Sequence, residues 1–153
     1  MDMPKPAEQH LRLQELVGEW QGTETMHPSQ WDPQGGTAIG RMNSRLALSG
    51  FAVISEYEQE RDGAVTFTGH GVMTYDTTEA CYVLHWFDCV GSPPEVFKGT
   101  FDGDVLTIGH GGPGMHARFT YDLSREKQMA SRMEMSPDGK DWKVLFEASY
   151  DKE

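Results

Sequence analysis

The sequence predicts an all-β fold, a single antiparallel up-and-down β-barrel of about ten strands with a short N-terminal helix. Three observations predict it. Helical periodicity is confined to residues 7–17. Beyond Gly18, Thr, Val, Phe, Tyr and Trp alternate with polar residues in short runs, separated by turn clusters roughly every 9 to 15 residues, the rhythm of an antiparallel meander. About ten consecutive strands leave two exposed edges unless they close, and closure removes both. A two-sheet sandwich is the second choice.

In chain order, Leu13, Leu16 and Val17 recur at helical spacing among Glu8, Gln9, Arg12, Gln14 and Glu15, and Gly18 ends the helix. The turns are placed at Ser49-Gly50, Asp62-Gly63, Asp76 to Glu79, Gly91 to Pro94, Asp102 to Asp104, Ser124 to Glu126 and Pro137 to Gly139. Segment 28–37, with Pro28, Pro33, Gly35 and Gly36, is the longest irregular connection and is expected at a barrel mouth. Gly109 to Gly114 is read as a second flexible loop. It lacks the Lys-Ser/Thr and the following helix of a phosphate cradle. Residues 1–6 are expected to form a flexible N-terminus, and 7–153 one barrel domain.

Composition narrows the function. The chain has 153 residues with 24 Asp and Glu against 13 Lys and Arg, a formal charge of −11. This balance argues against nucleic acid or a membrane surface as partner, since both need concentrated Lys and Arg. No apolar run approaches the ~20 residues needed to span a bilayer, and Met1 to Pro6 lack an apolar signal core, so the expected location is the cytoplasm. Cys81 and Cys89 are too few for a disulfide framework and are read as free thiols. Nine Met, four Trp, five Tyr and seven Phe supply a core rich in aromatic and thioether groups.

Hairpin registers suggest which side chains meet. A two-residue turn at Thr77-Thr78 places Gly69 opposite Trp86, Gly71 opposite Leu84 and His70 opposite His85. The Asp62-Gly63 turn adds Glu56 beside Gly69 and Ser55 beside His70. One face then carries Ile54, Glu56, Gly69, Gly71, Trp86 and Asp88, and the other carries Val53, Ser55, His70, Val72, Val83, His85 and Phe87. Glycines facing Trp86 leave room either for the indole itself or for a bound molecule, with Glu56 and Asp88 as the polar groups of a mostly apolar pocket. His70 and His85, if opposed, are close enough to share a metal or a proton. A catalytic zinc takes three protein ligands, and the third is not identified, His110 and His116 being candidates only if the glycine loop folds over. The turn at Pro137 to Lys140 pairs Met135 with Trp142, Met133 with Val144, Met129 with Ala148 and Glu134 with Lys143. Met26, Met42, Met73, Met133 and Met135 suit an adaptable lining or an irregular core equally.

Gly18-Glu19-Trp20, opening the first strand after the helix, resembles the Gly-x-Trp opening of lipocalin and calycin barrels, in which Trp20 would plug one end. Leu16 to Thr23, Phe67-Thr68-Gly69-His70-Gly71-Val72, Tyr75-Asp76, His85-Trp86-Phe87-Asp88 and Pro137-Asp138-Gly139-Lys140 together resemble a bacterial family catalogued as domain of unknown function 1579, over almost the whole chain. The resemblance implies a lipocalin-like barrel and transfers no catalytic residue. Nitrobindin-like barrels share the opening but hold haem through a histidine late in the chain, whereas no His follows His116 here. Haem is therefore disfavoured. Fatty-acid-binding barrels clamp the carboxylate with Arg-x-Tyr, and the last strand here reads Ala148-Ser149-Tyr150 without the Arg.

The leading expectation is a barrel that binds a small hydrophobic or amphipathic molecule, neutral or cationic in preference to a fatty acid. Its candidate ligand residues are Trp20, Glu24, Glu56, Trp86 and Asp88. An enzyme using the cavity, with His70 or His85 as acid-base group or ligand of a single divalent metal, is the alternative. A scaffold or homodimer associating through a barrel face is the third. No cofactor is assigned.

Overall fold

The computed structural model describes residues 2–153. The ten strands are β1 (Gly18–Met26), β2 (Gly36–Ala47), β3 (Ala52–Arg61), β4 (Ala64–Asp76), β5 (Cys81–Asp88), β6 (Glu95–Asp102), β7 (Val105–Gly112), β8 (Met115–Asp122), β9 (Gln128–Ser136) and β10 (Lys143–Lys152). Each pairs antiparallel with its neighbours in sequence, and β1 also pairs with β10 from Trp20↔Lys152 to Met26↔Phe146, which closes the barrel. Closure satisfies every strand edge internally and leaves none as a template for aggregation. The barrel expectation is borne out. No helix among the described residues is long and apolar enough to cross a membrane.

The N-terminal segment differs from the expected continuous helix. One α-helical turn, α1 (Glu8–Leu11), passes into a 3-10 turn over Arg12–Leu16. The tighter winding eclipses residues three apart, and Leu13 and Leu16 enter the barrel core together while Leu11 stays half-exposed. This segment plugs one end. His10 is buried between the rings of Phe51 and Tyr75, at 4.9 and 5.6 Å, and its Nδ1 accepts the Ala7 amide at 3.0 Å. Trp20 is buried beneath, its indole N–H donating to the Leu16 carbonyl at 2.9 Å. That bond ties the indole to the helical segment.

Three registers depart from the sequence arithmetic, each for a local reason. The Asp62-Gly63 turn has both residues at positive φ, 52° and 80°, and begins the expected pairing with Arg61↔Ala64 and Glu60↔Val65. A β-bulge then leaves Thr66 unpaired, and Gln59 faces Phe67. One extra residue reverses the facing of the rest of a strand relative to its partner. Tyr57, not Glu56, therefore lies opposite Gly69, and Glu56 lies opposite His70.

Between β4 and β5 the turn is four residues, Thr77 to Ala80, with Ala80 at φ 56°. Asp76 Oδ1 holds it by accepting the amides of Thr78 and Glu79 at 2.8 and 3.0 Å. The pairing slides by two residues to Gly71↔Trp86, Gly69↔Asp88 and His70↔Phe87. A slide of two preserves the faces but separates the histidines, and His85 sits opposite Val72. Between β9 and β10 the turn over residues 137–142 pairs Met135 with Lys143 and Glu134 with Val144, and a second irregularity then leaves Leu145 unpaired, so that Met133 faces Phe146 and Met129 faces Tyr150.

The longest connection, residues 27–35, lies at the end opposite the helical plug, as expected, tied by an Arg61 Nη2 to Asp32 Oδ2 ion pair at 2.8 Å. The glycine-rich stretch is not a loop. Gly109 to Gly112 belong to β7 and pair with Arg118 to Met115, leaving only Pro113-Gly114 as the turn.

Candidate functional site

Alternation along ten strands sends Glu24, Gly40, Met42, Tyr57, Gln59, Phe67, Gly69 and Gly71 to the same interior as Trp86 and Asp88. The interior is not filled. A cavity of about 320 Å³ remains between the plug and the open end. Its walls are largely aromatic, with Tyr57, Phe67, Trp86, Phe97, Phe119, Tyr121, Phe146 and Tyr150 joined by Met42, Met133 and Leu84. Gln59, Asp88, Glu95 and Ser131 complete them.

The void has a structural cause in the glycines of the wall. The Trp86 indole lies across Gly69 and Gly71, in space that a Cβ at either position would take. Trp86 thus packs on the glycines with one face and lines the cavity with its remaining surface. Its Nε1 donates to Asp88 Oδ2 at 3.0 Å, while Asp88 Oδ1 accepts the Val90 amide at 3.0 Å. The indole orientation is fixed from both sides.

Behind the cavity wall lies Glu24, fully buried. A lone buried carboxylate is strongly unfavourable unless several donors satisfy it. Here Tyr57 donates to both carboxylate oxygens, at 2.7 Å each, Gln59 Nε2 donates to Oε1 at 2.9 Å, and the Tyr150 hydroxyl makes a short bond to Oε2. Gly40 makes room for the cluster, since a Cβ there would strike the Glu24 carboxylate and the Tyr150 ring. Burial, reinforced by the Glu24 charge beside them, pushes the phenol pKa values of Tyr57 and Tyr150 far above the usual tyrosine range. Both remain neutral donors at any physiological pH.

Tyr121 differs, because burial alone raises its pKa and no charged or hydrogen-bonding neighbour contributes. Its phenol and the Ser131 hydroxyl line the cavity. Ser131 is only 6% exposed. A hydroxyl on a cavity wall can serve a water or a polar group of a bound molecule.

The residues singled out from sequence divide between the two faces. Trp86 and Asp88 line the cavity and Glu24 braces two of its tyrosines, whereas Trp20 is buried against Leu16 and is not among the lining residues. Glu56 points outward, corrected by the Thr66 bulge. It accompanies Glu19, Arg41 and Glu58 along an open outer groove of about 490 Å³, where Arg41 is already paired with Glu60 at 2.8 Å and Glu58 at 3.6 Å. His70 is also on the outer surface, its Nδ1 2.5 Å from Glu56 Oε1. His85 is exposed on that face without a bond to His70. His110 is exposed near the end of β7, its Nδ1 3.1 Å from the Val96 carbonyl and its ring beside Phe97. No group of three or more His, Cys, Asp or Glu side chains among the described residues is placed to hold a metal ion. The sequence reading missed Tyr57, Gln59, Phe119, Tyr121, Ser131 and Phe146, whose only signal was alternation at spacing two in strands whose inward face was unassigned.

A family described as "Protein of unknown function (DUF1579)" matches residues 5–152. The chain belongs to this family. Among solved structures, this DUF1579 member is similar to Rv2717c from M. tuberculosis, with a TM-score of 0.67 at 14% identity over 96% of this chain and 98% of that one. At that identity the likeness is one of fold. No curated protein matches the chain.

Proposed function

We propose that this DUF1579 barrel binds a small, mostly apolar molecule in its interior, in the manner of a lipocalin-like carrier. The observation that carries the reading is the unfilled aromatic cavity of about 320 Å³, with a few polar groups, Gln59, Asp88, Tyr121 and Ser131 among them, on its wall. Ligand sites are commonly concave and apolar, with a few convergent polar groups fixing orientation. A barrel core evolved only for stability would be close-packed, since each unfilled volume forfeits dispersion contacts and transfer energy.

The cavity offers no histidine among its lining residues, and the His70–Glu56 pair lies on the other side of the wall. Binding is therefore better supported than acid-base or metal chemistry through His70 or His85. Native mass spectrometry of freshly purified protein, set against its denatured mass, tests the reading. A retained organic mass is the expected result. A bare mass, together with no saturable uptake of naphthalene derivatives by calorimetry, overturns it.

A further inference from the structure

The cavity has a charge as well as a shape. Asp88 and Glu95 line it, Glu24 stands behind Tyr57 and Tyr150, and no Lys, Arg or His is among the lining residues. Asp88 and Glu95 lie on adjacent strands on either side of Trp86, which is two residues from Asp88 and directly paired with Glu95. Neither carboxylate has an ion-pair partner among the described residues. Asp88 oxygens accept only the Trp86 indole N–H and the Val90 amide, which leaves lone pairs unused.

The tyrosines reinforce the same preference. Each phenol has one hydrogen, and Tyr57 and Tyr150 commit theirs to Glu24. What these hydroxyls can still offer is lone pairs. At the Asp88–Glu95 end a carboxylate or phosphate ligand would meet acceptors and negative charge where it needs donors. A protonated amine would meet acceptors, two carboxylates and the electron-rich face of an indole.

We propose that the ligand is an amphipathic amine, its aromatic or alkyl body among Phe97, Phe119 and Phe146 and its ammonium group between Asp88 and Glu95 against Trp86. The proposal rests on the binding reading above and adds the charge and orientation of the bound molecule. The hydroxyls of Tyr121 and Ser131 on the wall would serve a polar substituent on the body or a bridging water.

Three probes of one shape separate the two claims: naphthylmethylamine, naphthylmethanol and naphthoate, titrated into the intact protein by isothermal calorimetry at neutral pH. The amine is expected to bind about tenfold or more tighter than the alcohol, and the carboxylate more weakly than either, as a charge-assisted bond to a carboxylate implies. Asp88→Asn with Glu95→Gln should abolish the preference, so that the variant binds the amine no tighter than it binds the alcohol. The one carboxamide oxygen introduced by Asp88→Asn can keep the Trp86 N–H while giving up the exposed Val90 amide, and an unaltered near-ultraviolet dichroism establishes that the variant is folded. An amine no tighter than the alcohol, or one indifferent to both substitutions, overturns the amine proposal and leaves cavity binding standing. Failure of all three probes removes both.

Discussion

The Tyr57 hydroxyl sits 2.7 Å from each carboxylate oxygen of Glu24, thirty-three positions away in the chain, and bridges them both. With Tyr150 on Oε2 and Gln59 on Oε1, the carboxylate ties β1, β3 and β10 together across the barrel closure. Glu24→Ala should destabilise the protein by about 3–5 kcal/mol, because it orphans two buried phenols and leaves a void. Tyr150→Phe, which removes one donor and little volume, should cost about 1–2 kcal/mol. Urea unfolding of the two variants checks the order, and a loss of under about 1 kcal/mol for Glu24→Ala would refute the bracing role.

The raised tyrosine pKa values give an alkaline limit. A phenol that stays protonated in the folded state but ionises in the unfolded chain contributes stability that is complete below the unfolded pKa near 10 and lost as pH rises beyond it. The unfolded state then binds fewer protons, so stability falls by about 1.4 kcal/mol per pH unit for each such tyrosine. Tyr57, Tyr121 and Tyr150 all belong to this class. Unfolding midpoints from pH 9 to 11.5 should fall steeply above about 10, and tyrosinate absorbance should develop late, with unfolding. Early titration of all five tyrosines in folded protein would contradict the burial.

Trp86 should matter more to uptake than to folding. Trp86→Ala removes an indole that is only partly buried and opens the cavity onto Gly69 and Gly71. A loss of about 3 kcal/mol in stability is expected, with the barrel retained and uptake of naphthalene probes weakened. Gly69→Ala acts oppositely, pushing the ring off its glycine and into the cavity, at about 1–3 kcal/mol. Calorimetry should show weaker uptake in both variants. Collapse of the fold in Trp86→Ala would reduce Trp86 to a core residue.

On the outer wall, Arg118 grips Glu134 with two bonds of 3.0 and 3.1 Å and stacks 3.9 Å over the Trp142 ring. Hydrogen bonding from Arg118, ahead of its charge and that of Arg132, holds the Glu134 carboxyl below its usual range. This contribution is complete above the unfolded pKa near 4.3 and is lost as pH falls through the lower folded value. Asp138, capping the adjacent turn by accepting the amides of Asp141 and Lys140, is held at about 2 and titrates in the same direction. Glu134→Gln should cost about 1 kcal/mol at neutral pH and flatten the acid limb of the stability profile. A profile between pH 5 and 2 that is identical to that of the parent chain would exclude the pair as a source of acid sensitivity.

The barrel itself was legible because its signals are local. Alternation of period two, turn residues at Asp62-Gly63 and Pro137 to Gly139, and the Gly18-Glu19-Trp20 opening each act within a few residues, and closure follows from the number of strands. The candidate site was legible in part. Trp86 and Asp88 share a face because they are two apart on one strand, and Gly69 and Gly71 stay on that face under any slide by an even number of residues.

Tertiary structure alone decided which β3 side chains face the cavity. A single unpaired residue, Thr66, exchanged Glu56 for Tyr57, and with it an exposed carboxylate for a buried phenol. A bulge answers to the curvature of the closed barrel and leaves no reliable mark in the residues that form it. The four-residue turn at Thr77 to Ala80 likewise parted His70 from His85. Glu24 read as one polar residue of β1, and its burial depends on β10 closing against β1 and on Gly40 leaving space beside it. Sequence alone determined the closed barrel and most of its strands and turns, the Gly109 to Gly112 strand and the length of the Thr77 to Ala80 turn excepted, since short-range backbone and side-chain preferences specify them. The buried carboxylate, its two tyrosines and the charge of the cavity arise from contacts between strands far apart in the chain, and those exist only once the barrel has closed.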